Sequence, residues 1–224
     1  MPHQGAPYNE AMRPPDRLPA VSFDVSVHGG GPVGRATALA LAHQGLRVAL
    51  AAQPRPTARE DLRTYALNAA SVQLLASLKV WDALPADART PVYDMQVQGD
   101  APGHAVSFSA WQQGVAQLAF IVDAGALEAA LADAVRFAPH VQEVPPDAAP
   151  EAPLKVLAEG RDARLRDALG ARMAVQAYGH RGVAARLVAS VPHAGRARQW
   201  FRHPDVLALL PFDRPEPDAS YGLV

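Results

Sequence analysis

Residues 22–52 read SFDVSVHGGGPVGRATALALAHQGLRVALAA, and this stretch decides the fold. Ser22 to His28 alternates polar and apolar residues as a short strand does, Gly29 to Gly31 is a turn, and Pro32 to His43 is an apolar, Ala-rich helix ending near Gly45. Arg47 to Ala52 is a second, buried strand. Strand, glycine turn, helix and strand within about thirty residues make a βαβ unit, with parallel strands and a right-handed crossover. Gly29, Gly31 and Gly34 stand in G-x-G-x-x-G spacing where the strand gives way to the helix. Gly29 permits the tight turn, and Gly31 lets backbone approach a pyrophosphate. Gly34 lets the helix lie close to the strand while its N-terminal amides face the anion. The pattern predicts a dinucleotide site; a glycine turn that serves packing alone is the competing reading. The fingerprint normally ends in an acidic residue at the tip of the second strand, where it accepts hydrogen bonds from ribose hydroxyls. Here Ala52 holds that place, followed by Gln53.

Outward from this unit, Gln53 to Asp61 is a polar loop, and Asn68 to Leu78 has a helical pattern. Tyr93 to Gly99 and Ala105 to Ser109 read as strands joined by a turn at Asp100 to Gly103, with Gln117 to Val122 a third strand of an antiparallel region. Asp123 can cap a helix over Ala124 to Phe137, with Leu127, Ala130, Leu131 and Ala134 on one face. Val144 to Pro153 is a loop, and Leu154 to Ala158 a short strand that ends in a turn at Glu159 and Gly160. Beyond Ala171, Met173 to Tyr178, Val183 to Val191, Arg198 to Arg202 and Val206 to Leu210 are expected strands of one antiparallel layer.

Composition excludes several classes of function. Lys and Arg number 21 against 22 Asp and Glu, with no long basic run, so a nucleic-acid partner is not expected. The chain has no Cys, which removes disulfides, thiolate metal sites and Cys nucleophiles and suits a reducing, cytoplasmic setting. Its eight His show no compact ligand spacing, so no metal is expected. The most apolar stretch, Ala36 to Ala52, is broken by His43, Gln44 and Arg47 and is too short to span a bilayer. Residues 1–20 are polar and Pro-rich, lack the apolar region of a secretory signal and read as a mobile arm. Ser71 and Ser190 stand in no G-x-S-x-G elbow. Trp81, Trp111 and Trp200 are expected in the core or at a domain interface, and for His193 a structural or surface role outweighs a catalytic one.

SFDVSVHGGGPVGRATALALAHQGLRVAL resembles the opening of the para-hydroxybenzoate-hydroxylase-like flavoprotein monooxygenases. RTYALNAASVQLLASLKVWDAL, TPVYDMQVQGD, LAFIVDAGALEAALADAV and PHAGRARQWFRHPDVLALLPF narrow the resemblance to the ubiquinone-biosynthesis hydroxylases, from about Phe23 to Val224. The resemblance implies that Arg63, just before the second helix, contacts the flavin cofactor. LKVLAEGRDARLRDALG matches a second family signature, an Asp-Gly pair followed by Arg near the FAD pyrophosphate and the passing nicotinamide. Glu159 replaces its Asp, and Gly160 and Arg166 follow. Two features depart from the family. Ala124 and Gly125 stand where its helix carries a polar or basic cofactor contact, and the Gly-Asp motif that closes its flavin site is absent. A fragment or a shortened relative is therefore expected.

The implied fold is α/β, a Rossmann-like FAD-binding domain over 21–91 and 117–170 with an interleaved β-rich substrate layer over 92–116 and 171–224. The implied activity is hydroxylation of an aromatic ring on a lipophilic polyprenyl quinone precursor, with NAD(P)H supplying electrons and molecular oxygen the inserted atom. Cofactor-binding residues are Gly29, Gly31, Gly34, Arg63, Glu159, Gly160 and Arg166. No catalytic side chain is nominated, because in such enzymes the cofactor carries the chemistry and the protein binds, orients and excludes water. A lipophilic substrate implies peripheral work at the inner face of a membrane or within a biosynthetic complex. Two readings stay open beside this one: a truncated or degenerate homologue without catalysis, acting as a binding or assembly partner or as a non-functional fragment, and a simple NAD-binding oxidoreductase. Ring position, the choice of NADH or NADPH, and oligomeric state are also open.

Overall fold

A computed structural model describes residues 22–53, 61–101, 103–160, 164–171 and 173–224. The arm expected over 1–20 and most of the loop expected over 53–61 lie outside the described residues. The βαβ unit is β1 (Val25–His28), α1 (Pro32–His43) and β2 (Val48–Ala51). Helix α1 starts on Pro32, whose fixed φ suits a first turn and whose missing N–H costs nothing there. Gly45, at φ +82, reverses the chain after it. Strand β1 begins at Val25 rather than Ser22, because Asp24 turns aside to take hydrogen bonds from Arg47 at the entry to β2. Those bonds hold the Asp24 carboxyl below its ordinary pKa.

The chain continues through β3 (Thr64–Leu67), α2 (Ala69–Ser77), β4 (Arg89–Val92), β5 (Asp94–Gln98), β6 (Ala105–Ser109), α3 (Ala110–Gln113) and β7 (Ala119–Asp123). It then forms α4 (Ala124–Arg136), β8 (Val141–Val144), β9 (Leu154–Leu157), α5 (Arg164–Ala168), β10 (Ala185–Val188), β11 (Arg196–Arg202), β12 (Asp205–Phe212) and β13 (Ser220–Leu223). Both longer helices after α1 carry side-chain caps: Asn68 accepts from the Ser71 N–H and Asp123 from the Ala126 N–H.

Three sheets result. The first has order β8-β2-β1-β9, all parallel. The second is the antiparallel set β3-β7-β4, and the third runs β10-β13-β12-β11-β5-β6. The main core lies between the parallel sheet and its helices: Val25, Val27, Val48 and Leu50 meet Ala38 and Leu39 of α1 and Leu127, Leu131 and Val135 of α4. A smaller cluster of Val92, Ile121, Ala197 and Phe212 joins the other two sheets.

Two expectations are corrected and one is borne out. Met173 to Tyr178 forms no strand: these residues are exposed and pair with no strand among the described residues, so β-propensity finds no surface to pack on. The C-terminal strands β10, β13, β12 and β11 do pair antiparallel with one another, and their sheet becomes mixed only where β11 runs parallel to β5. Trp111 is no core residue; it is 91% exposed on the short α3.

Candidate functional site

Strand β1 is where the order of the parallel sheet reverses: β2 and β8 lie on one side of it and β9 on the other. Such a switch point leaves a crevice beyond the carboxyl ends of the strands, where open α/β sheets take their ligands. Gly29 follows β1 there, and Ala158 follows β9, its N–H donating to the His28 carbonyl at 2.7 Å. Gly29 has φ +126, and a Cβ on it would run into the Ala158 carbonyl. A Cβ on Gly34 would run into the Gly29 carbonyl, so α1 can approach β1 only with glycine at this position. Gly31 differs, because a Cβ on it would meet nothing within 4 Å. It is the N-cap of α1, extended at φ −78, with no side-chain cap and no acid in the first turn. Among the described residues the space beyond Gly31 is therefore open, and the first-turn N–H groups of α1 bring the positive end of the helix dipole to it. The cradle fits a pyrophosphate of the kind carried by FAD.

Glu159 and Gly160 sit beside this turn, the Glu159 N–H being 3.0 Å from the position a Gly29 Cβ would take. The Glu159 carboxylate turns to its own loop and accepts the Leu165 N–H of α5 at 3.2 Å. Gly160 has φ +67. Arg166 pairs with its neighbour Asp167 and places Nη1 3.4 Å from the Met173 sulphur. Arg63 stands at the entry to β3, where its carbonyl accepts the Ala124 N–H at the start of α4. It donates to Asp61 through Nε at 2.8 Å and Nη2 at 2.6 Å, and its Nη2 lies 3.4 Å from Glu128. These bonds, those to Asp61 foremost, push its pKa above the ordinary value. A Cβ on Gly125 would come within 3.2 Å of the capping Asp123 oxygen, so the first turn of α4 leaves little room for a larger residue there.

Two polar residues near the site, His28 and Arg35, escaped the sequence reading, as did the Arg186 partner of Asp123. His28, at the tip of β1, is buried with Nε2 unpartnered among the described residues, and burial above all lowers its pKa. Arg35 lies on the inward face of α1 beside Ala38 and Leu39, 8% exposed. Asp123 both caps α4 and receives Arg186 of β10 at 2.8 Å. The only signals in the sequence were a charge at an inward helical position for Arg35 and the cap itself for Asp123. His193 is 3% exposed, so the surface alternative is excluded: Nδ1 accepts the Gly195 N–H at 3.0 Å, and Nε2 lies 3.2 Å from Asp213. Asp213 also accepts from Thr90 and the Asp218 N–H. The ligand-type atoms of His193, Asp213 and Asp218 lie within 4.8 Å of one another. Their hydrogen bonds tie the β10–β11 loop to the end of β12.

A parallel sheet with a glycine turn at its switch point and an uncapped helix N-terminus beyond it defines a Rossmann-type dinucleotide-binding protein. A family model described as the FAD binding domain matches residues 22–166, and the chain belongs to that family. It is 35% identical over 123 residues to 3-demethoxyubiquinol 3-hydroxylase of Escherichia coli, a match covering 53% of this chain and 31% of that enzyme. An uncharacterised protein of Synechocystis is 35% identical over 85 residues, covering 36% of this chain and 20% of the relative. Among solved structures, a variant of PqsL from Pseudomonas aeruginosa superposes with TM-score 0.66 at 18% identity, covering 90% of this chain and 60% of the other. p-Nitrophenol 4-monooxygenase PnpA of Pseudomonas putida does so with TM-score 0.65 at 15% identity, covering 90% and 57%. The chain thus spans less than two thirds of the length of these relatives, and at such identities the structural likeness is one of fold. Among the described residues, no helix is long and apolar enough to cross a membrane.

Proposed function

We infer that this chain is a flavin-dependent monooxygenase that hydroxylates an aromatic ring of a polyprenyl quinone precursor. The observation that carries the reading is the open position beyond Gly31, at the switch point and in front of the α1 amides. The relative of known activity supplies the substrate class, since the E. coli protein is a ubiquinol hydroxylase by name. The chemistry supplied by bound FAD would be transfer of two electrons from NAD(P)H to molecular oxygen, one oxygen atom entering the ring and the other leaving as water. The protein's share is placement. Gly29, Gly31 and Gly34 would seat the pyrophosphate, and Glu159 and Gly160 would border it. Arg63 and Arg166 would add positive charge once drawn from Asp61 and Asp167. In this reading 21–91 and 117–170 form the FAD domain, and 92–116 with 171–224 the substrate layer. A lipophilic substrate would bring the protein to the inner face of a membrane without a spanning segment.

One observation favours a second reading, a homologue without catalysis that serves as a binding or assembly partner: the Arg63 guanidinium already has a bidentate carboxylate partner in Asp61.

Titration of the purified chain with FAD, read by flavin fluorescence and visible absorption, separates the two. Gly31→Asp is the informative control, because its Cβ meets nothing and Asp is a favourable N-cap, so the fold survives while the carboxylate repels the pyrophosphate. Saturable binding that weakens at least about a hundredfold in the variant is expected. A folded wild-type chain that binds no FAD would overturn the enzyme reading.

A further inference from the structure

The glycine turn explains how a pyrophosphate would be held but leaves the adenosine half without its usual reader, because Ala52 replaces the acid at the tip of β2. The structure places a different pair of charges at that end. Arg35 points inward from α1, where its helical neighbours on the same face are Ala38 and Leu39. Its Nη2 lies 4.0 Å from the position a Gly30 Cβ would occupy, and that same position is 2.7 Å from the Ala52 Cβ. The guanidinium is thus close to the glycine turn and to the tip of β2. Its Nη2 is 3.5 Å from Glu143 Oε1, and its Nε is buried with no hydrogen-bond partner among the described residues. Glu143 belongs to β8, which pairs with β2 in a register that sets Glu143 opposite Leu50, two residues before Ala52. The Glu143 side chain is 46% exposed, so carboxylate surface remains open to solvent.

Nothing in the packing of α1 calls for a charge at position 35. An inward guanidinium with one long contact and an unpaired Nε is a poor structural element, since removing such a group in favour of an apolar one is often neutral or stabilising. The arrangement makes sense if the charge has a ligand-related task. We propose that Glu143, held in place by Arg35, replaces the missing β2 acid as the acceptor for the ribose hydroxyls of an adenine dinucleotide. Glu143 is the binding residue and Arg35 its positioning residue. A carboxylate here accepts from a free 2′-hydroxyl and repels a 2′-phosphate, so the site takes the unphosphorylated adenosine that FAD carries.

The inference rests on the dinucleotide reading above, and its test is built to fail separately. The full chain is titrated with FAD, then challenged with ADP and with 2′-phospho-ADP as competitors. Glu143→Ala is expected to weaken FAD and ADP about tenfold or more, the loss of hydrogen bonds to a charged acceptor. It should also shift the preference between ADP and 2′-phospho-ADP toward the phosphate, because Arg35 is then left to meet it. Adding Ala52→Glu to Glu143→Ala should restore ADP affinity, a rescue that a merely structural Glu143 would not show. Arg35→Leu should weaken ADP while leaving the thermal midpoint of the ligand-free chain unchanged or higher. Unaltered ADP affinity and unaltered preference in Glu143→Ala, with wild type binding FAD, overturn this proposal alone. A wild-type chain that binds neither FAD nor ADP overturns it together with the flavoprotein reading.

Discussion

A buried imidazole at the tip of a strand is costly to charge, and His28 occupies such a place, between β2 and β9 and directly before the glycine turn. Burial lowers its pKa first and nearby Lys155 adds to the effect, while Glu159 and Glu151 oppose it. The sign follows from linkage. The folded chain holds His28 neutral at a pH where the unfolded chain already binds the proton. Its contribution is complete above about 6.5, the ordinary histidine value, and is lost as pH falls through the lower folded pKa. Urea unfolding between pH 7.5 and 5.0 should therefore show wild-type stability declining more steeply toward acid than that of His28→Leu. Parallel pH profiles for the two proteins would refute the assignment. At this scale the sequence was readable where backbone sterics act alone: Gly29 and Gly34 would each drive a Cβ into a carbonyl, and only glycine meets that demand. His28 and Arg35 were not read, because their meaning depends on what surrounds them. The Arg35 partner Glu143 lies 108 residues away in the chain.

Asp123 shows how one element is fastened to two others. It ends β7 and caps α4 by accepting the Ala126 N–H at 2.7 Å, while its other oxygen receives Arg186 of β10 at 2.8 Å. The Asp123 and Arg186 side chains are only 8% and 13% exposed, and Arg186 also donates to the Asp61 carbonyl and stacks over Phe212. Asp123→Ala removes the cap, worth about 1 kcal/mol, and leaves a buried guanidinium without its carboxylate, worth about 3 kcal/mol or more. Asp123→Asn keeps an acceptor for the helix but turns an amide NH2 toward the Arg186 guanidinium, so the charge and the hydrogen bond to Arg186 are both lost. Denaturant titration should rank the losses Ala above Asn, with the alanine variant down by roughly 4 kcal/mol. A loss near 1 kcal/mol in the alanine variant with none in the asparagine variant would mean that the ion pair contributes nothing. The cap was legible from Asp123 standing before an apolar periodic run; Arg186, 63 residues away, was not. The short strands fared the same way. Strand β4 contains Pro91, β13 contains Gly222, and β8 reads VQEV before two prolines, so each is specified by its partners more than by its own pattern.

Taken as a whole, the molecule has two unequal cores, and the proposed cofactor site is attached to the larger one. The parallel sheet and its helices bury a continuous cluster, whereas the cluster shared by the other sheets is formed around four buried residues. The six-stranded sheet also leaves Val106, Phe108, Leu187, Val188, Phe201, Val206 and Leu207 exposed. The fold class was legible because one βαβ unit fixes the start of a parallel sheet; the order of the other sheets depends on pairings between distant segments, which periodicity does not encode. A ligand that binds only the folded chain stabilises it by mass action, about 2.7 kcal/mol at a hundred times its dissociation constant. For a chain of this size that corresponds to roughly 5–10 °C in the thermal midpoint. The proposed site lies at the carboxyl end of the larger core, and the Asp123–Arg186 pair couples that core to the six-stranded sheet, so the shift should raise one cooperative transition rather than split it. Calorimetry of the wild-type chain with and without saturating FAD, beside Gly31→Asp, tests this. A midpoint that rises in wild type and stays fixed in the variant places the stabilising contact at the glycine turn. An equal rise in both would mean that flavin binds elsewhere, and a second, unshifted transition would mean that the two cores unfold independently.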